Sequence, residues 1–497
     1  MKKSYKLILT LLLVLVVFTG LSAVSAADVN TSDASSSIGS VNTNTQTSDL
    51  LTGADYSNYQ TSVDNSSEYS NEYSSNLNDV AVLSDGNTTT SGSYTDLANL
   101  INNSNGTISL ERNYTYNALL DANYIRDVNI TKDLVINGNG YTISGNNQPV
   151  GILNIINSTV TLNDLNLINI KSISGYSSGG AIYGENSNIF INNCNFTNSN
   201  QNGHGGAIYV SLCNLTITNS TFTNNSAYDL GGAIASANSN VSVSDCNFYN
   251  NIVNSTEING TDIHGGGAIG SANGNILVNH CYFYSNIATG NDAITYAGEG
   301  GAILLHNTTC FVNNSGFTNN SASAAAGAIW SWYNTLTINN TVFTNNTSKR
   351  NGGAVLVDGN LYVYDSIFRN NLVNSTNPLT GFYYGGGAIY QYNGELTLDD
   401  SSFVSNVATG DLNDSGNGGA IATNGTLNVT ECDFNNNVAN IGGAIATNKY
   451  LSIDNSEFYG NIANLYGGAV GTYNSIIVSG SNFTQNNAGM LGGAIIT

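Results

Sequence analysis

Chemistry has few places to reside in this 497-residue chain. Its four histidines, His204, His264, His280 and His306, follow no metal-ligand spacing, and none forms an HExxH pair. Cleavage of a polysaccharide needs a base beside metal-bound acids, or two carboxylates facing one cleft. The best cluster for that is Lys349, Arg350 and Arg369 with Asp365 nearby, which a solvated charge patch explains equally well. Structural calcium would have to use Glu257 and Asp262, or Asp411 and Asp414, which match neither a twelve-residue calcium loop nor a GGxGxDx repeat. No cofactor motif is present, and six cysteines form an even set without a CxxC. Four of them, Cys194, Cys246, Cys281 and Cys432, recur at one register among Ser and Thr. Core filler is the better reading there, although Cys246 and Cys281 fall on neighbouring repeats.

Binding is better supplied than catalysis. Trp330 and Trp332, then Tyr390 and Tyr392, stand four and six residues into a recurrent glycine-rich motif, where most copies carry Ala, Gly or Ser. Phe382, Tyr383 and Tyr384 lead into one of these copies. Trp330, Trp332, Tyr383, Tyr384, Tyr390 and Tyr392 are therefore the candidate ligand-binding residues, expected as flat open rings two rungs apart. Such rings suit a sugar face or a protein partner; ordinary strand-surface aromatics are the alternative.

What must position them is a repeat. The motif GGA starts at Gly179 and returns at Gly205, Gly231, Gly266, Gly300, Ala326, Gly352, Gly386, Gly418, Gly442, Gly467 and Gly492. A Phe follows 16 or 17 residues later in each of the first eleven copies, from Phe196 to Phe483, whereas the stretch from Phe to the next motif runs from 8 to 18. A register fixed in one stretch and loose in another describes stacked coils with insertions confined to one turn. Seven and five residues before Phe the chain is aliphatic, as at Leu215 and Ile217, and period two means strand. Between that pair and Phe the parity changes, so the strand bends, at Asn193, Asn219, Asp245 or Asn340, types that accept left-handed angles. Ten of eleven Phe are followed at the third position by Asn, beginning with Asn225, which marks another corner.

Short strands with corners between them bury nothing alone. Coiled at a rise of about 4.8 Å, like residue stacks on like. The expectation is an all-β chain, a right-handed single-stranded parallel β-helix of about 13 rungs with a small N-terminal cap. Residues 134–497 are the repeats, with Leu167 and Tyr141 taking the Phe position in the first two. Residues 93–133 are the cap, "SYTDLANLINN" a helix and "TISLERNYTY" a strand. The chain stops at "GGAIIT", one strand into a unit, from which we expect a truncation or a second chain over that edge, end-to-end self-association included.

Residues 1–26 read as a signal peptide: Lys2, Lys3 and Lys6, an apolar run from Leu7 to Phe18, and small residues near Ala26. Cleavage there leaves eight bases against 33 acids, which excludes nucleic acid as a natural partner. No later segment is apolar enough to span a bilayer. Residues 27–92, rich in Ser, Asn, Thr and Asp, read as a disordered spacer. Sequons at Asn87, Asn113, Asn214, Asn240, Asn307 and Asn428 fit a glycosylated surface protein.

GGAI paired with FxxN, repeated from Gly179 to Ile495, resembles the repeat of polymorphic outer membrane proteins. The leader, the Asn and Tyr bias and the entry "LERNYTY…LVINGNGYTISG" resemble the adhesin-like proteins of methanogenic archaea. That resemblance implies a secreted or surface-displayed β-helix attaching to glycans or proteins of other cells or host surfaces. It departs in having no recognisable barrel, membrane helix or wall-binding module. A polysaccharide lyase or glycosidase on the same coil is the alternative function.

Overall fold

The computed structural model describes residues 91–122, 127–172, 179–255, 264–290, 297–375, 384–410 and 415–497. They form a parallel β-helix. Every strand pairs in parallel with its counterpart one coil away, for example Leu215↔Val241 and Phe222↔Phe248. The inner aliphatic column passes from Ile108 through Ile136, Leu162, Ile191 and Ile217 to Val478, fourteen coils in all against the thirteen rungs expected.

Several coils have four strand segments where the pattern indicates three, while in others, as at Ile303–Asn313, the first two run together. In the coil of Gly205 the four are Ile208–Ser211, Asn214–Thr218, Thr221–Thr223 and the short Ser226–Ala227. The fourth is two residues long and escapes a periodicity argument, but its inward residue forms a buried small column through Ala227, Val253, Ala288 and Ala322.

The left-handed corners fall where the Asn types point. Asn193, Asn219, Asp245, Asn314, Asn340, Asp365, Asp400 and Asn455 all have φ between 46° and 55°. After Phe, the turn itself is one residue earlier than expected, at Asn224 and its equivalents. The third residue does something else. Asn225 is fully buried and its Nδ2 donates to Phe196 O on the preceding coil and to Asn251 Oδ1 on the next, both at 3.0 Å. Its backbone N–H shares that Oδ1. The pattern continues to Asn486, giving an internal amide ladder beside the phenylalanine stack. A carboxamide suits this place because it supplies a donor and an acceptor along one axis, so each interior polar group finds a partner.

The rings are spaced by the sheet. From Phe196–Phe222 to Phe458–Phe483, successive centroids lie 4.6 to 4.9 Å apart with planes within 7° of parallel. The double glycine is a close approach: a Cβ on Gly206 would stand 2.0 Å from Gly232 O, and one on Gly205, at φ 66°, 2.1 Å from Ile208 O.

One rung differs from expectation. Ile143, not Tyr141, pairs with Leu167 in the phenylalanine column, because "NGNG" adds two residues to that corner. Upstream, Ser93 caps a helix, α1 (Tyr94–Asn102), reciprocally with Asp96, and α1 turns Tyr94, Leu97, Ala98 and Ile101 inward. Thr107–Ser109 is itself a coil strand, paired in register with the strand of Ile136.

All six cysteines are free and buried. Cys194 and Cys432 donate their thiols to Asn192 O and Thr430 O, as Ser220 donates to Thr218 O, so in that column sulfur stands in for hydroxyl.

Candidate functional site: an aromatic edge on the glycine-turn strand

The residues four and six positions into the motif do face away from the main core, yet two of the expected open rings are covered. Trp330 and Tyr390 are 4% and 1% exposed. They alternate with Leu304 and Leu356 on four successive coils, and a second apolar cluster forms around them with Ala325, Ala326 and Ala422. The cover is the segment just before each glycine turn, which folds over the next coil's strand. A Cβ on Gly265 would stand 2.7 Å from Leu304 Cδ1, and one on Gly270 2.4 Å from Leu230 Cγ. The parity of a strand says which side a residue faces, not what lies on it. Burial at Trp330 and Tyr390 is therefore a correction to the open column.

Tyr392 is half-buried, its hydroxyl accepting from Asn351 Nδ2 at 3.0 Å, and Tyr390's accepts from Asn424 Nδ2 at 3.0 Å. Tyr383 lies outside the described residues, as do Phe382 and all four acids considered for calcium; Tyr384 enters through its backbone, in the strand Tyr384–Gly385.

What reaches solvent is a stack that climbs out of the cluster. Trp332 lies on Trp330 (5.3 Å, 28°), and Tyr333 lies on Trp332 (4.8 Å, 26°). His306, one coil earlier, meets both edge-on, at 5.3 Å and 6.3 Å. Burial holds the His306 imidazole below its ordinary pKa, so at neutral pH it is uncharged, with one donor and one acceptor nitrogen. Asn334 Nδ2 donates to Trp332 O at 2.7 Å, pinning the turn beyond the rings. Asp358 stands opposite Trp332 on the next coil and accepts from Asn393.

Tyr333 is the residue that sequence reasoning missed. It is 62% exposed and sits at φ 61°, a left-handed corner that Asn273 and Asn307 occupy on the two coils before it. Its register is also broken: Trp332 pairs with Asp358 and Asn334 with Gly359, leaving Tyr333 without a counterpart on the following coil. A bulky residue in that conformation costs about 1–2 kcal/mol. Bulges and strained backbone gather where a side chain is being aimed.

At the glycine turn one coil before the tryptophans stands an unusual acid. Glu299 precedes Gly300 and is fully buried, its Oε2 without a hydrogen-bond partner, as is the Nε1 of Trp330. Burial pushes its pKa well up, with the charge of Arg350 pulling the other way. A carboxyl whose folded pKa is raised contributes most to stability below its unfolded value and loses that contribution as pH rises towards the folded one. Glu299→Gln should therefore unfold at a higher temperature than wild type at pH 8 and show little difference at pH 4, read from melting curves at the two pH values.

The basic cluster is spread over several edges of the coil. Lys349 and Arg350 precede a glycine turn, Asp365 is a left-handed corner, and Arg369 faces out from the phenylalanine strand. His264 lies 3.1 Å from Asp229, both buried. Among the described residues no three His, Cys, Asp or Glu side chains are grouped to hold a metal ion, and no helix is long and apolar enough to cross a membrane.

Fold and site together define a repeat-built parallel β-helix that carries an aromatic edge at Trp332 and Tyr333. A family model of the Chlamydia polymorphic membrane protein repeat matches residues 219–237 and 340–358, so the chain carries repeats of that type. Each match spans a left-handed corner, a Phe, a ladder Asn and a glycine motif. No curated protein matches the chain.

Proposed function

We propose that this chain is an extracellular or surface-displayed adhesin-like stalk, without catalytic activity, that binds glycans on other cells or host surfaces through the edge formed by His306, Trp332 and Tyr333. The observation that carries the reading is Tyr333, an exposed ring held at a strained corner on top of a stacked pair of tryptophans. A sugar's apolar C–H face stacks on such rings while its hydroxyls take the donors and acceptors of His306 and Asp358. The acidic chain favours neutral over anionic glycans. The polymorphic-membrane-protein-type repeat supports a surface location. Export by residues 1–26 and an origin among methanogenic archaea are part of the same reading and rest on the leader and the entry sequence. Surface proteins are a second class of ligand for the same edge.

The test is a glycan array and a cell-attachment assay with purified protein. Wild type should bind, and Trp332→Ala should bind at least tenfold more weakly with an unchanged β-sheet circular dichroism spectrum. Release of reducing or unsaturated sugars from the bound glycans, or equal binding by the variant, would overturn the reading.

A further inference from the structure

The phenylalanine strands carry a second group of rings on another sheet. Tyr249, Tyr282 and Tyr284 face outward from two neighbouring coils, with Tyr249 paired to Tyr284. The rings of Tyr282 and Tyr284 lie 6.1 Å apart and 21° from parallel, and Tyr249 meets Tyr282 edge-on at 6.3 Å. All three are half-buried. Opposite Tyr282 on the following coil is Gly316, where a Cβ would stand 2.9 Å from the tyrosine ring. Tyr282 thus leans across a notch. The neighbouring coils fill that position with Asn247 and Val342.

Polar groups border these rings. His280, two residues ahead of Tyr282, occupies a left-handed corner at φ 53°, and its Nδ1 lies 2.5 Å from Asp245 Oδ1 on the preceding coil. Both side chains are about half exposed, at 56% and 47%. Elsewhere this corner is bridged by amide side chains, as where Asn340 donates to Asn314. An imidazole paired to a carboxylate beside three rings gives what a pyranose needs: a flat apolar surface for its C–H face, and a donor and an acceptor for adjacent hydroxyls.

We infer that Tyr249, Tyr282 and Tyr284, with Asp245 and His280 at their border, form a second saccharide-binding site that takes a neutral pyranose unit. The carboxylate of Asp245 and the acidic chain exclude uronic and sialic acids. Because this site is on the phenylalanine sheet and the aromatic edge on the glycine-turn sheet, one molecule holds two glycan chains, and attachment gains by avidity without any further contact. The inference extends the glycan-binding reading to a separate face and does not depend on Trp332 or Tyr333.

The experiment is isothermal titration with cello-, malto-, chito- and manno-oligosaccharides in a Tyr333→Asn background, which removes the outer ring of the edge. At least one of these probes should still bind, and Tyr282→Ala or Gly316→Val should each weaken it at least tenfold. Gly316→Val keeps all three tyrosines, installs the residue type the next coil carries at Val342, and displaces the Tyr282 ring by sterics alone. Absence of binding in the Tyr333→Asn background, or binding insensitive to both substitutions, would overturn the second site. Wild-type binding unaffected by Tyr333→Asn but lost on Gly316→Val would overturn the aromatic edge and leave the second site standing.

Discussion

Replacing Asn346 by Asp should remove about 3–5 kcal/mol of stability at neutral pH while changing a single atom. Asn346 sits in mid-ladder, wholly buried. Its Oδ1 accepts from the backbone and side-chain nitrogens of Asn320, and its Nδ2 donates to Phe317 O at 2.9 Å and Asn371 Oδ1 at 3.0 Å. A carboxylate keeps the first pair of bonds and loses the second. Phe317 O loses its side-chain donor, Asn371 Oδ1 keeps only the backbone N–H of Asn346, and both acceptors face a buried charge with no partner, a combination that costs about 3–5 kcal/mol. Burial must raise the pKa of the new carboxyl. The loss should therefore be largest at pH 7 and shrink towards pH 4, where a protonated oxygen again donates one hydrogen bond. Urea unfolding at the two pH values reads both effects. A penalty below about 1 kcal/mol at pH 7 would mean that the ladder does not bear on stability.

Most of the coil was legible because its determinants are periodic and local. The nearly constant offset of 16 or 17 residues from glycine to Phe fixes the register, a change of parity fixes the bend, and Asn at the bend supplies a residue that accepts left-handed angles. Even the amide ladder is foreshadowed by Asn225 and its equivalents, which the pattern marks as a corner and the structure places in the interior, hydrogen-bonded from coil to coil. Tyr141 misled because the two extra residues of "NGNG" preserve the look of the motif while moving Ile143 into the column.

The site was legible only in part, for a physical reason. Alternation places Trp330 outward, but the burying segment belongs to the stretch of variable length, whose path over the strand no periodicity encodes. Leu304 and Leu356, at the same offset as Trp330 and Tyr390, were the available clue: an apolar column four coils long asks for a cover. Tyr333 carried a signal too. The distance from motif to Phe drops from 17 to 16 between the copies beginning at Ala326 and Gly352, and the residue left over is Tyr333.

That unmatched tyrosine supports the second large effect. Tyr333→Asn installs the residue found at the same corner in Asn273 and Asn307, and so relieves about 1–2 kcal/mol of left-handed strain. Against this stands the loss of one exposed ring from the stack, worth about 0.5–1.5 kcal/mol. The variant should be as stable as wild type or slightly more so. If the ring exists to meet a ligand, affinity should fall about tenfold, equivalent to about 1.4 kcal/mol. A residue kept only for packing would show the reverse, a loss of stability with binding intact.

The most direct test of the account therefore measures both quantities on one preparation: the melting temperature of wild type and Tyr333→Asn, and their affinity for the glycan that wild type selects from the array. The account predicts an equal or higher melting temperature with affinity reduced about tenfold. A lower melting temperature with unchanged affinity would contradict it.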